Sequence, residues 1–188
     1  MKKLRWLVDS SLDGFMSRPN GALDWAAPNM DDEQWQYVND LLRKTDTALF
    51  GRVTYQNFES YWPTVPDNAA SPKNELDFSR WIDAAPKFAA SKTLKTLPWK
   101  NSVLLGTTIE ESVSGIKQQD GNDVLMFGSC QLASSLLRAR LIDEIHLRFH
   151  PVILGAGVPL FKGAIEQALK LADVRLFASG VVGVRYDL

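Results

Sequence analysis

Short apolar runs alternate with segments of helical periodicity along most of the chain. The runs have the length of buried strands, and most are followed by a segment with apolar residues every three or four positions. Strands are predicted over residues 4–8, 47–50, 87–90, 102–105 and 123–127. Helices are predicted behind a cap at Asp31 or Asp32, over residues 53–58 and 78–85, from about Thr108, and over 131–141. This alternation predicts an α/β protein with parallel strands and crossover helices on both faces of the sheet.

The C-terminal part has a different pattern. Residues 144–154 and 174–188 are strand-like but have no helix between their strands, and Ser179-Gly180 occupies the place of a hairpin turn. We therefore predict that a mostly parallel central sheet ends in antiparallel strands. No change in composition divides the chain, so a single domain over residues 1–188 is expected.

Two polar segments show no periodicity. Residues 10–25 are rich in Ser, Asp, Gly, Asn and Pro, and residues 61–74 contain three prolines. Both segments are predicted to be irregular, the first as a long loop and the second as a connector. A loop of this length inside a compact domain is often functional.

Composition and charge narrow the class of protein. The hydrophobic fraction is 45%, and the formal charge is −1 from 21 basic and 22 acidic residues. A balanced surface offers no broad field for a nucleic-acid backbone. No apolar run approaches the roughly 20 residues of a membrane span, and the N-terminus lacks the features of a signal peptide. We expect a cytoplasmic protein with a small-molecule partner and neither nucleic acid nor membrane.

The few cysteines and histidines argue against a metal site. Cys130 is the one cysteine, so no cysteine cluster or intrachain disulfide can form. His146 and His150 lie four residues apart in a predicted strand, about 13 Å by strand rise, which is too far for two ligands of one ion. We interpret them as edge or surface imidazoles. The position of Cys130 at a helix start could lower its pKa, but no Cys–His pair accompanies it.

Polar residues and glycines stand where the predicted parallel strands end, which is the edge at which such sheets bind ligands. A glycine lets backbone approach a phosphate, and hydroxyls, cations and helix-start amides bind it. The candidate phosphate ligands are Gly51, Arg52, Thr54, Ser91, Lys92, Gly128 and Ser129. Ordinary turns, a solvated arginine and helix caps would produce the same residues, and neither the three-glycine dinucleotide motif nor a P-loop is present.

Five segments resemble the dihydrofolate-reductase-like superfamily, in the order of that family. They are SLDGFM (11–16), LFGRVTY (49–55), ASKTL (90–94), VLMFGS (124–129) and LIDEIHLRFHPVILGAGVPLF (141–161). The likeness is closer to the reductase domain of bacterial riboflavin biosynthesis. It implies a three-layer α/β/α fold, NADPH as hydride donor and a homodimer. It places Gly51, Arg52 and Thr54 at the cofactor phosphates and Ser91 and Lys92 near the 2′-phosphate. Gly128 and Ser129 would line the pyrophosphate and nicotinamide side.

Two aspartates are candidates for the substrate end. The resemblance places Asp13 beside the substrate, where relatives hold a sugar hydroxyl, although an Asp before Gly14 also suits a turn. Asp9 stands where relatives often carry a small apolar residue, and it could anchor substrate or simply end the strand. The proton for the reduction could come from Asp13, Asp9 or an ordered water. Trp25 and Trp62 are candidate walls of the cleft.

The implied activity is NADPH-dependent reduction of a small heterocyclic or sugar-imine substrate, as in 5-amino-6-(5-phosphoribosylamino)uracil reductase. Dihydrofolate reductase is the alternative. Its helix carboxylate would fall near Trp35, whereas Asp31, Asp32 and Glu33 lie at the helix start, where acids suit the dipole and the cap. A protein that binds nucleotide without catalysis is the non-enzymatic alternative.

Overall fold

The computed structural model describes residues 1–26, 30–106 and 108–188. Its strands are β1 (Leu4–Ser11), β2 (Phe15–Ser17), β3 (Thr45–Gly51), β4 (Lys87–Ala90), β5 (Ser102–Leu105), β6 (Asp123–Phe127), β7 (Glu144–His150), β8 (Val158–Pro159), β9 (Lys170–Leu176) and β10 (Val182–Asp187). Its α-helices are α1 (Asp32–Leu42), α2 (Arg52–Tyr61), α3 (Lys73–Ala84), α4 (Ile109–Gln118) and α5 (Cys130–Arg138). A 3₁₀-helix covers Trp62–Asp67.

Eight strands form one sheet in the order β5-β4-β3-β6-β1-β7-β10-β9, and β2 pairs with β8 separately. All neighbours from β5 to β7 are parallel, whereas β10 is antiparallel to both β7 and β9. The predicted sheet, mostly parallel with antiparallel C-terminal strands, is thus confirmed. Because β6 lies between β1 and β3, strands distant along the chain end side by side.

Helices cover both faces of the sheet, as the alternating pattern predicts. Successive strand residues point to opposite faces. Leu7 and Phe50 pack with α1, α2 and α3, whereas Trp6 and Leu49 pack with α4 and α5. Phe50 is completely buried and stacks on Phe127 with ring centroids 5.5 Å apart. Each face of the sheet therefore has an apolar core of its own. Burial of one side chain such as Phe50 contributes about 2–3 kcal/mol to the free energy of folding.

Local signals set several element boundaries. Asp31 is the N-cap of α1 and accepts a hydrogen bond from the Gln34 amide at 2.8 Å. Gly180 has φ +83° in the turn between β9 and β10, a conformation that glycine adopts without strain. The predicted cap and the predicted hairpin are both confirmed.

Two predictions of irregular structure were only partly correct. The predicted loop at residues 10–25 contains the end of β1 and all of β2, because β2 finds a partner in β8. The predicted connector contains the 3₁₀-helix and the start of α3. The Ser79 hydroxyl of α3 donates to the Trp62 carbonyl at 3.0 Å, which holds these two helices together. Within the described ranges, no helix has the length and apolarity needed to cross a membrane.

Candidate functional site

The predicted phosphate ligands lie along one edge of the sheet. β4, β3 and β6 are adjacent and parallel, and Gly51 pairs in register with Ala90. Ser91, Gly51 and Gly128 therefore follow the carboxyl ends of three neighbouring strands. We call this edge, from Ser91 to Ser129, the rim. Ligands of open parallel sheets bind at such an edge, beside the point where the strand order reverses.

Hydrogen bonds join three of the predicted residues at the centre of the rim. The Gly51 amide donates to Ser129 Oγ at 2.8 Å, and Ser129 Oγ donates to Thr54 Oγ1 at 3.0 Å. In the second of these bonds the Thr54 hydroxyl acts as an acceptor, so its own proton can be donated to another group. A Cβ on Gly51 would lie 3.4 Å from the Ser129 side chain, which is an ordinary van der Waals contact. The end of β3, the first turn of α2 and the N-cap of α5 are thereby held together.

The backbone between β6 and α5 turns through two left-handed residues. Gly128 has φ +47° and Ser129 has φ +58°. The second value is uncommon for a residue other than glycine and costs about 1 kcal/mol or more. The turn aims the Ser129 side chain at Gly51 and Thr54 and away from the first turn of α5. Strain of this kind is often found at functional sites.

Two helices begin side by side at the rim without a side-chain cap. Gly51 is the N-cap of α2 and has no side chain, and Ser129 is the N-cap of α5 but makes no capping bond. The first amides of a helix need partners from outside the helix, and they attract anions. A cavity of about 310 Å³ lies beside the first turn of α5, lined by Pro19, Cys130, Gln131, Gly157, Val158, Pro159 and Lys162. The rim therefore offers donors for a phosphate diester.

The remaining predicted ligands are exposed side chains or a turn. Arg52 is exposed on the first turn of α2, and its Nη1 donates to Gln56 Oε1 at 3.0 Å. Lys92 is exposed as well. Ser91 Oγ accepts the amides of Thr93 and Leu94 at 3.1 and 3.0 Å, which stabilises a turn. No helix follows Ser91 in the described residues up to Gly106, so the alternative of a helix cap does not apply there.

Asp9 is bound in a buried ion cluster on the α1 side of the sheet. Its carboxylate contacts Arg148 at 2.8 Å and 2.9 Å and His150 Nε2 at 2.8 Å. Burial would raise the pKa of Asp9, but the charge of Arg148 and the hydrogen bond from His150 hold that pKa at about 2. Asp9 is therefore ionised at neutral pH. An ionised Asp9 argues against its predicted role as proton donor, because a proton donor must carry a proton.

Asp13 joins the loop after β1 to the loop after β7. It accepts hydrogen bonds from the Ser11 hydroxyl at 2.6 Å and from the amides of Leu154 and Gly155 at 3.1 and 2.8 Å. The bond from Ser11 is the main cause that lowers the pKa of Asp13. Gly14 has φ +83°, so the turn-forming role of this sequence is real. A carboxylate has about four acceptor positions, so an exposed Asp13 can still accept a substrate hydroxyl.

Both histidines are buried, so their interpretation as edge or surface imidazoles was wrong. β7 lies between β1 and β10, and its even-numbered residues face α1. His146 bonds to Glu144, whereas His150 bonds to Asp9 and contacts the Trp25 ring edge-to-face at 5.2 Å. The missed signal was the alternation Glu-His-Arg-His in β7, which places four polar side chains on one face.

Other candidates are more firmly embedded than predicted. Burial raises the pKa of the Cys130 thiol to about 12, so a reactive thiolate there is excluded. Trp62 packs on Phe78 with ring centroids 4.2 Å apart and belongs to the core on the α1 side. Trp25 is buried and covers His150. Neither tryptophan is among the residues that line the cavity beside α5.

Fold and rim together define a dihydrofolate-reductase-like α/β/α protein. Within that class, the chain belongs to the RibD C-terminal domain family, which it matches over residues 2–183. Its sequence is 30% identical over 189 residues to YyaP of Bacillus subtilis (strain 168), a protein described as uncharacterized, and the match covers 99% of this chain and 96% of that one.

Solved structures show the same fold. A Shewanella sp. PV-4 protein, provisionally named a riboflavin biosynthesis protein, superposes with TM-score 0.69 at 22% identity, covering 98% of both chains. The Thermotoga maritima diaminohydroxyphosphoribosylaminopyrimidine deaminase/5-amino-6-(5-phosphoribosylamino)uracil reductase superposes with TM-score 0.67 at 17% identity, covering 99% of this chain and 56% of its own. The predicted family and fold are confirmed.

Proposed function

We propose that the protein is an NADPH-dependent reductase of a small heterocyclic or sugar-imine substrate. The observation that carries this proposal is the pair of adjacent helices, α2 and α5, that begin at the rim without side-chain caps. A dinucleotide pyrophosphate supplies the acceptors that these amides need. Membership of the RibD C-terminal domain family and likeness to a reductase with a pyrimidine substrate support the same activity.

Each rim residue has a role in the proposal. The free proton of Thr54 and the amides after Gly128 bind the pyrophosphate, and Arg52 donates to it from the start of α2. Lys92 binds the 2′-phosphate, which distinguishes NADPH from NADH. When bound, the cofactor supplies the hydride, and the protein holds it in position and excludes water. Because Asp9 and Asp13 are ionised, water supplies the proton in this scheme.

Substrate binding is assigned to the loops beside β1. Asp13 accepts a hydroxyl of the substrate, and Asp9 acts indirectly, by keeping Arg148 and His150 in place. Dihydrofolate reduction is the weaker candidate, since the acids at the start of α1 are used structurally. Asp31 accepts the amides of Gln34 and Ser179, and Glu33 accepts that of Ala178.

The first test is titration of NADPH fluorescence with the purified protein. Arg52→Ala removes one charge-assisted contact worth about 1.5–3 kcal/mol, so the Kd should rise about 10- to 100-fold. Arg80→Ala is the matched control, because Arg80 is an exposed helix arginine in α3. Lys92→Ala should weaken NADPH but leave NADH unchanged. Equal binding by wild type and Arg52→Ala would contradict the proposal.

Turnover separates the three candidate functions. NADPH oxidation is followed with 5-amino-6-(5-phosphoribosylamino)uracil and with dihydrofolate as substrates. Oxidation with the aminouracil alone supports the riboflavin-type activity, and oxidation with dihydrofolate alone supports the alternative. Tight NADPH binding without turnover of heterocyclic or imine substrates would indicate a nucleotide-binding protein that has lost catalysis.

We further propose a homodimer that forms in the cytoplasm through the C-terminal strands. β9 is an edge strand, and Leu171, Val174 and Leu176 on it are exposed, Leu176 by 76%. An apolar edge of this kind is a hazard unless another chain covers it. Sedimentation should give a dimer for the wild type and a monomer for Leu176→Asp. A wild-type monomer at all concentrations would refute this part.

A further inference from the structure

A second concave surface lies at the opposite edge of the sheet, between the C-terminal half of α1 and the β9–β10 hairpin. It encloses about 430 Å³. Arg5, near the start of β1, lies in its wall, whereas the rim adjoins the other end of the same sheet. Arg5 pairs in register with Leu125 of β6, and Gly128 lies three residues further along, about 10 Å by strand rise. None of the residues that line the cavity belongs to the rim. This cavity is therefore separate from the proposed cofactor site.

Cations dominate the lining of this cavity. They are Arg5, Arg43, Lys44, Arg175 and Arg185, against the two carboxylates Asp40 and Asp173. The whole chain carries a formal charge of −1, so composition alone does not account for the concentration of positive charge. A concave surface of one sign focuses its field and attracts ions of the opposite sign.

The deep wall of the cavity adds no charge. The Tyr37 hydroxyl lies 2.5 Å from His146 Nδ1, and His146 Nε2 lies 3.0 Å from Glu144 Oε2. Burial is the main cause that lowers the pKa of His146, which favours the neutral ring, and in that form the proton lies on Nε2, facing the Glu144 carboxylate. Tyr37 accordingly donates to Nδ1. Both side chains are committed to this network and serve as a rigid floor.

Not every lining cation is available to a ligand. Arg5 is buried and bound by Glu144 and Asp123, so its charge is cancelled. Arg43 is paired with Asp40, and Arg175 contacts Asp173 at 3.2 Å.

One lining cation is then in excess. Arg185 is shared between two carboxylates, 3.8 Å from Glu144 and 3.7 Å from Asp187. Lys44 has no ion pair in the part of the chain that the structure describes.

The position of Arg175 favours ligand binding over simple solvation. Its guanidinium carbon lies 5.0 Å from the centroid of the Tyr37 ring, a cation–π contact that restricts the side chain. A guanidinium held in this way loses little entropy when it binds an oxyanion. The enclosed volume falls in the range of small-molecule sites, about 300–1,000 Å³.

We propose that this cavity binds a small molecule carrying two or more negatively charged oxygens. Lys44 supplies the uncompensated charge, and Arg175, held on Tyr37, supplies a planar pair of donors. Arg185 adds a second guanidinium, whose ion pairs are 3.7 and 3.8 Å long. A concave site with one unpaired lysine and two guanidinium groups suits a compact polyanion, whether its charge comes from phosphate or from carboxylates. The site does not depend on the proposed reductase activity.

Isothermal titration calorimetry at low ionic strength tests the proposal with two probes, pyrophosphate and citrate. Both probes should bind, and the stronger one identifies phosphate or carboxylate as the preferred group. Lys44→Gln/Arg175→Gln should raise the Kd about tenfold or more. The control variant Lys73→Gln/Arg80→Gln also removes one lysine and one arginine, but from α3, where Arg80 likewise has an exposed Asp partner. It should change the Kd less than about twofold.

Two further measurements distinguish binding at this cavity from binding at the rim. Arg52→Ala should retain binding of citrate, and saturating NADPH should not displace it. Loss of all binding in Arg52→Ala, or equal loss in both double variants, would overturn the proposal, as would no heat with either probe. If circular dichroism shows that Lys44→Gln/Arg175→Gln is unfolded, the binding measurement is repeated with the single variant Lys44→Gln. It removes an exposed side chain and should still weaken binding about threefold.

Discussion

Asp9→Asn should destabilise the protein strongly, because it removes the carboxylate that pairs with buried Arg148 and hydrogen-bonds to buried His150. Arg148 and His150 both contact this carboxylate, and their side chains are 8% and 0% exposed. Asparagine keeps the size and one acceptor oxygen but leaves the guanidinium charge buried without a counterion. Breaking a buried pair from one side costs about 3–5 kcal/mol.

The pKa of Asp9 gives an independent magnitude. Its value of about 2, against an ordinary 3.8, corresponds to about 2–2.5 kcal/mol at about 1.36 kcal/mol per pH unit. Because the folded-state pKa is depressed, this stability is fully present above about pH 4. It is lost as the pH falls from about 4 towards 2. This value is close to the lower end of the range for breaking a buried ion pair, about 3–5 kcal/mol. We therefore expect Asp9→Asn to lower the free energy of unfolding by about 3 kcal/mol.

Urea unfolding and thermal melts at pH 7 measure the effect. For a domain of this size, about 3 kcal/mol lowers Tm by roughly 6–12 °C. Asp77→Asn is the control, because Asp77 pairs with Arg80 at the surface and its loss should cost less than about 0.5 kcal/mol. The difference between wild type and Asp9→Asn should shrink below about pH 4 and become small below about pH 2. A fully stable Asp9→Asn with impaired turnover would refute the structural role and restore Asp9 as a direct substrate ligand.

Three further outcomes are expected. Gly157→Ala should lower the unfolding free energy by about 1–3 kcal/mol, because a Cβ there would overlap the Ser17 carbonyl and press on Phe15. Gly115→Ala, in the middle of α4 with open space around it, should instead stabilise by about 0.5–1 kcal/mol, and paired chemical melts distinguish the two signs. Cys130 should react with a thiol reagent at pH 8 at least about a hundredfold more slowly in the folded than in the unfolded protein, because burial raises its pKa to about 12. Fast labelling of the native protein would contradict that assignment.

Much of the architecture could be predicted from the sequence because the responsible signals are local. Strands β4, β5 and β6 have the predicted bounds, the Asp31 cap and the Gly180 turn are where expected, and Gly51 and Gly128 stand at strand ends. Strand periodicity, turn chemistry and caps act over a few residues, so a single sequence contains them. The resemblance of five short segments added the family.

Only the tertiary structure decided which side chains meet. Asp9 and Arg148 are 139 residues apart, and nothing near either one indicates the other. Their contact depends on β1 and β7 being neighbours, which in turn depends on where the crossover helices place each strand. The same pairing buries His146 and His150, and helix packing buries Cys130. The pKa of a side chain follows from its desolvation and from charges brought close by folding, so it is a property of the assembled sheet and not of a segment.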